Sequence, residues 1–421
     1  MLIGFTVRNF RSIGHPQTFS FATSSDRTHA STHCVRTGLK SVPRLSKAAV
    51  IFGPNGSGKS NFINAMSVMR DLVLHSTSLT SAEFAARHTP FRFGLSDGHP
   101  TEFSIDVLLG TTRYLYSFAY NHEHICSERL MVYCTGKSQR WFERSIDGVT
   151  RDETWAPFSQ KFNGPRAMWR SATRAESLFL TAAAGLNSSQ LEPLFRWFEQ
   201  GMQFVLPSDP LKFTGIGQSM QNSQYKGRLL GFLQSAGIRV HDVRACGPQS
   251  AGIEVSHARE NRSPVWTNLA DESAGTQRLV SLFAPLSAAV ERRQLLLADE
   301  FDLGLHPLVA RYLIGLINGS DAPPQGAQMV LTSQNTSLMD MQILRRDEIW
   351  LMEQNASGAS ELVRVWRARI PPRKGELIGR RYLCGRYGAI PHISTRSHAD
   401  RSDHHPHFAG APGADGPGKV N

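Results

Sequence analysis

Ala48-Ala49-Val50-Ile51-Phe52 runs straight into Gly53-Pro54-Asn55-Gly56-Ser57-Gly58-Lys59-Ser60, and from Asn61 to Leu74 the residues Phe62, Ile63, Ala65, Met66 and Met69 recur at helical spacing. A short apolar run, a glycine-rich turn and an amphipathic stretch predict a strand–loop–helix unit. Glycines let such a loop curl until successive N–H groups face one point, and the helix N-terminus adds partial positive charge there. A phosphate fits that point. Asn55, Gly56, Ser57 and Gly58 then form the cradle, Lys59 reaches the β- and γ-phosphates, and the Ser60 hydroxyl takes a magnesium position.

A second segment completes the chemistry. Leu295-Leu296-Leu297-Ala298 ends in Asp299-Glu300. Paired carboxylates after a buried strand are costly unless they meet a cation. Asp299 is placed to hold magnesium and Glu300 to orient and deprotonate an attacking water. About 20 residues upstream stands Glu272-Ser273-Ala274-Gly275-Thr276-Gln277-Arg278-Leu279, which by itself reads only as a helix N-cap.

Around these motifs the chain alternates. An opening strand over 2–10 with a hairpin partner at 18–22, an antiparallel pair at 103–109 and 112–120, and a further strand at 125–134 predict a β-lobe. Residues 23–46 read as a loop; 174–200 and 224–237 read as helices. Past residue 294 the order is strand (295–298), helix (308–318), strand (328–332), helix, strand (348–353), the pattern of a parallel α/β sheet. From Thr395 the composition turns to Ser, His, Gly and Pro and predicts a disordered tail, whose His398, His404, His405 and His407 lack any fixed ligand geometry.

Taken together these strings resemble an ABC-type ATPase of the RecF/SMC-like branch, and more narrowly the bacterial AAA-family ATPases of abortive infection and anti-phage defence, the PARIS ATPase subunit among them. The strings are Phe5–Ile13, the phosphate loop, Glu272–Leu279, Asp299–Pro307, Arg346–Trp350 and Gly385–Pro391. The resemblance implies an α/β fold, an ABC-type P-loop NTPase head with an antiparallel β-lobe, a parallel α/β core and a helical lobe. It implies one ATPase domain over 1–393, divided into a β-lobe (1–140), a helical lobe (141–270) and the signature with the C-terminal core (271–393), followed by a tail over 394–421. It also implies a dimer, with Ser273 and Gly275 of one subunit facing the nucleotide held by the other, Asp302 crossing the interface, and Arg11 near the nucleotide. His306 is expected to cap a helix. Relatives carry a switch histidine after the strand 328–332; here Thr332-Ser333-Gln334-Asn335 puts an uncharged amide there, which implies slow turnover or a persistent nucleotide-bound state. No Q-loop glutamine is assignable, and no role follows for Glu128.

Composition bounds the rest. The 421 residues carry a formal net charge of +11, with 40% hydrophobic and 19% charged residues. Apolar runs fall short of the ~20 residues that span a bilayer, and the opening residues lack the pattern of a secretory signal, so a cytoplasmic protein is expected. Cys34, Cys126, Cys134, Cys246 and Cys384 are too scattered for a disulfide framework or a zinc site. The expected cofactors are ATP and Mg2+. The expected activity is that of an ATP-binding, ATP-hydrolysing homodimer or higher oligomer acting as a switch in phage defence through a separate effector, since few residues remain after the last strand. The basic charge sustains an alternative, a RecF/SMC-like ATPase that grips DNA or RNA. A transporter motor is disfavoured by the Asn9–Ser12 string and the atypical signature.

Overall fold

The computed structural model describes residues 1–93, 99–134, 137–148, 150–206, 219–246, 252–259, 262–319, 326–368, 370–373 and 375–391. The tail histidines His398, His404, His405 and His407 lie outside the described residues. Met1–Ile390 form one compact unit.

The strand Ala48–Phe52 is buried at every position, as a strand covered on both faces must be. Its side chains divide by parity: Ala49 and Ile51 enter one hydrophobic core, Ala48, Val50 and Phe52 the other. The neighbouring strands divide in the same way, with Leu295 and Leu297 opposite Leu296 and Ala298. This six-stranded sheet has the order Met202–Val205, Leu295–Ala298, Gln328–Ser333, Ala48–Phe52, Ile349–Gln354, Ser360–Arg364. All pairings are parallel except the last. The phosphate loop, Asp299-Glu300 and Ser333-Gln334 therefore leave three adjacent strands at one carboxyl edge.

Helix Lys59–His75 covers one face and buries Phe62, Ile63, Met66 and Met69. Against that helix packs a seven-stranded antiparallel sheet, ordered Glu153–Trp155, Ser138–Ile146, Ile125–Tyr133, Thr112–Tyr120, Thr101–Leu109, Leu2–Arg8, Gln17–Ser20. Its strands alternate buried and half-buried positions because one face only meets the core. The opposite face of the parallel sheet carries helices Ala274–Arg292 and Pro307–Asn318.

Several expectations are corrected. The stretch 141–270, expected to be a helical lobe, is mixed: it includes the end of strand Ser138–Ile146, the core-edge strand Met202–Val205 and a three-stranded antiparallel sheet (Asp242–Cys246, Gly252–Arg259, Arg262–Asn268) besides its helices. The stretch 174–200, expected to be helical, holds two helices, Phe179–Gly185 and Glu192–Gln200. Where a helix was expected after the strand 328–333 there is one 3-10 turn, Thr336–Leu338. The expected loop 23–46 holds a short helix and the hairpin Cys34–Arg36 with Arg44–Ser46.

Candidate functional site

Lys59 is 5% exposed, and its ammonium donates to the carbonyls of Gly53 (2.8 Å) and Pro54 (2.9 Å). Burial lowers the pKa of this amine; the nearby Asp299 and Glu300 carboxylates oppose the shift. Asn55, Gly56 and Ser60 are exposed at the loop mouth, while Ser57 and Gly58 are buried. Gly58 adopts φ 103° and Gly56 φ 77°, left-handed conformations that glycine takes readily and that let the loop curl.

The acidic pair is held by Thr332, which sequence reasoning passed over. The Thr332 hydroxyl donates to Asp299 Oδ1 at 2.5 Å and accepts from the Glu300 N–H at 2.7 Å. Glu300 has φ 46°, a strained backbone for a non-glycine residue, of the kind that clusters at functional sites. Gln334 is exposed and its amide nitrogen stands 3.5 Å from Glu300 Oε1. Ser333 donates to Asp302 Oδ2 at 2.7 Å; burial raises the Asp302 pKa against that bond. Asp299 is 2% exposed, so its charge stands in a poorly hydrated place, where a cation is favoured.

Ser273 is the N-cap of helix Ala274–Arg292, its hydroxyl accepting from Thr276 N at 3.2 Å. The first turn of this helix abuts the loop after Glu300: a Cβ on Gly275 would stand 2.9 Å from the Gly304 carbonyl oxygen. One turn on, Arg278 Nη2 donates to the carbonyls of Asp299 (3.1 Å) and Glu300 (3.0 Å). Burial lowers the Arg278 pKa, opposed by Glu300, Asp299 and Asp302. Arg278 lies within Glu272–Leu279, yet nothing in its spacing predicts that it reaches a strand end 21 residues away.

Other sequence-flagged residues separate by role. Arg11 is exposed at φ 49°, with Nη1 3.4 Å from Asn61 Oδ1 in the first turn after the phosphate loop. His306 accepts from Leu308 N at 3.2 Å as the cap of helix Pro307–Asn318. Glu128 is fully buried and takes part in no loop of the site. Its carboxylate accepts from Tyr116 Oη (2.9 Å), Arg144 Nε (3.0 Å) and the Phe179 (2.7 Å) and Leu180 (2.9 Å) amides. Asp347 and Glu348 of the Arg346–Trp350 string stand at the opening end of a strand, away from the phosphate-loop edge.

A glycine-rich phosphate loop, a buried lysine, and a carboxylate pair on a neighbouring parallel strand define a P-loop nucleotide-binding protein of α/β fold. Residues 48–340 match the family model described as "AAA domain, putative AbiEii toxin, Type IV TA system". The chain belongs to that family. No curated protein matches the sequence. Among solved structures, an SMC head bound to the C-terminal winged-helix domain of ScpA is 15% identical, with 86% of this chain and 96% of that one covered and a TM-score of 0.42. The SMC head domain from Thermotoga maritima is 13% identical, with 86% and 98% covered and a TM-score of 0.41. An Smc head with an extended coiled coil, bound to the C-terminal domain of ScpA and derived from Pyrococcus furiosus, is 13% identical, with 86% and 95% covered and a TM-score of 0.38. Among the described residues no helix is long and apolar enough to cross a membrane.

Proposed function

We propose that this chain binds ATP with magnesium and hydrolyses it slowly as a homodimeric switch that controls a separate effector in phage defence. The observation that carries the reading is Thr332, whose one hydroxyl holds Asp299 and the Glu300 amide together on the strand beside the phosphate loop. The residues fit the cofactor: Ser60 is exposed at the loop mouth, and Asp299 is buried with Oδ1 already paired to Thr332. Those two would hold magnesium, which supplies charge neutralisation to the phosphates. Lys59 binds phosphate oxygens, and Glu300 takes the proton of the attacking water. Gln334 donates a hydrogen bond beside Glu300 without adding charge, which supports slow turnover. Ser273, exposed at a helix start, supports a site completed by a second subunit, with Gly275 and Asp302 as the other residues of that contact. The matched family's description, a putative toxin of a type IV system, supports the defence role.

ATP turnover and molecular mass in solution, measured for the wild type and Glu300→Gln, test this. We expect turnover by the wild type and an ATP-bound dimer trapped by the variant. A wild type that binds no ATP sinks the proposal.

Charge placement favours one second reading, an ATPase that also grips nucleic acid. Residues 23–47 hold five Lys/Arg and one acid, and residues 364–391 hold eight and one, which together account for the whole +11. The two segments meet: Asp26 and Thr28 of the first and Pro372 and Arg373 of the second line one cavity of about 260 Å³. We expect duplex DNA binding whose log Kd rises linearly with log salt, at ~0.9 per phosphate neutralised. Salt-independent binding, or none, removes this reading.

A further inference from the structure

Gly58 ends the phosphate loop, and a Cβ on it would stand 2.1 Å from Ser360 Oγ and 2.8 Å from Ser12 Oγ. The room left by the missing side chain is filled by two hydroxyls from opposite ends of the chain. Ser360 opens the strand Ser360–Arg364, is fully buried, and donates its N–H to the Ser12 carbonyl at 2.7 Å. Its Oγ lies 2.7 Å from Ser12 Oγ and 2.7 Å from the Ser57 carbonyl oxygen. Asn61 Nδ2 donates to Ser12 Oγ at 2.8 Å, and Arg11 Nη1 donates to Asn61 Oδ1 at 3.4 Å.

Valence sets the direction of this chain. The Asn61 amide nitrogen only donates, the Ser57 carbonyl only accepts, and each hydroxyl has one proton. Ser360 is placed as donor toward both Ser12 Oγ and the Ser57 carbonyl but has one proton. The one arrangement that satisfies every group runs from Arg11 to Asn61, Ser12, Ser360 and the Ser57 carbonyl. Bonds ordered in this way polarise one another. The last bond acts on the loop itself. In a planar trans peptide the C=O and N–H point in opposite directions, and no cis bond is present among the described residues. Holding the Ser57 carbonyl on the Ser360 hydroxyl thus turns the Gly58 N–H to the other side of that peptide plane, away from Ser360.

We propose that Ser12 and Ser360 are positioning residues for nucleotide: their hydroxyls lock the Ser57–Gly58 peptide with its N–H presented for a phosphate oxygen, and link that peptide to Arg11. This rests on the nucleotide-binding reading above. Neither hydroxyl touches the ligand; both act through the loop, so truncation weakens ATP affinity while turnover at saturation changes less.

The experiment is calorimetric titration of the full chain with AMP-PNP and magnesium, for the wild type, Ser12→Ala, Ser360→Ala, the double variant and Ser12→Thr, with a thermal midpoint for each. Each alanine variant is expected to bind about tenfold more weakly, the worth of one hydrogen bond of about 1.4 kcal/mol. The double variant should lose no more than the weaker single, because both break one chain. Ser12→Thr keeps the hydroxyl and should stay within about twofold of the wild type. Additive losses, or alanine variants that bind as the wild type does, overturn the proposal. Should Ser360→Ala fail to fold, Ser12→Ala decides alone, since Ser12 is only half-buried. A wild type unable to bind AMP-PNP overturns the nucleotide reading and this proposal with it.

Discussion

Lys59 spends its hydrogen bonds on two carbonyls of its own loop while two carboxylates stand close enough to favour its charge. That arrangement keeps the ammonium in place for an anion. Replacing it in Lys59→Met should weaken ATP binding on the order of 100-fold, the worth of about 3 kcal/mol of charge-assisted hydrogen bonding. Equilibrium titration checks this, and an affinity within a few-fold of the wild type would remove Lys59 from the site. Gln334 offers the converse test. A histidine at its position, near Glu300 Oε1, could carry charge at neutral pH where the amide cannot. Gln334→His should raise turnover about tenfold, equivalent to ~1.4 kcal/mol of transition-state stabilisation, with the gain fading above the histidine pKa. An unchanged rate across pH 6 to 8 would show that the amide is not what limits hydrolysis.

Elements are joined by buried carboxylates. Glu128 collects four donors and ties strand Ile125–Tyr133 to strand Ser138–Ile146 and to the first amides of helix Phe179–Gly185. Truncation leaves Arg144 buried and unpaired from its main partner. Glu128→Ala should therefore destabilise the protein by about 3–5 kcal/mol, read from urea unfolding; a loss under about 1 kcal/mol would show that water replaces the carboxylate. Nothing in the string Ile125-Cys126-Ser127-Glu128 announces this role, because three of the four donors lie at positions 116, 179 and 180 and the fourth, Arg144, across a strand pairing. The helix after Thr332 failed for a related reason. Its residues meet the apolar pattern of a helix, yet Asn335 caps a single 3-10 turn, and the chain returns so closely at Gly379 that a Cβ there would stand 2.6 Å from the Thr336 carbonyl oxygen.

Across the whole molecule, the end of the sheet opposite the phosphate loop is closed by a buried ionic cluster. Arg345 grips Asp347 through Nε and Nη2, both at 2.9 Å, and Ser24 donates to the same carboxylate through its amide and its hydroxyl. Burial raises the Asp347 pKa, but the Arg345 bonds and charge and the Ser24 bonds outweigh it and bring the group below its usual 3.8. A carboxyl whose folded pKa lies below its unfolded value contributes stability in full above about 3.8, and loses it as pH falls through the folded value. Asp347→Asn should therefore cost stability at pH 7 and shrink the further loss seen on acidification to pH 3. Urea midpoints at both pH values check this; equal acid losses in the two proteins would assign the acid limb to other carboxylates.

The strand–loop–helix at 48–74 and the acidic strand at 295–300 were legible because local composition dictates them: glycines where the backbone must turn left-handed, apolar runs where both faces are covered. Order along the chain also predicted α/β alternation and a β-lobe. What only the tertiary structure decided is which distant groups meet. Thr332 clasps Asp299, Arg278 reaches the Asp299 and Glu300 carbonyls, and Ser12 meets Ser360 from 348 residues away. Each of these is a polar residue with no periodic signature of its own. Their partners are set by parallel strand pairing and by close approach at glycine, and both exist only once the sheet has formed.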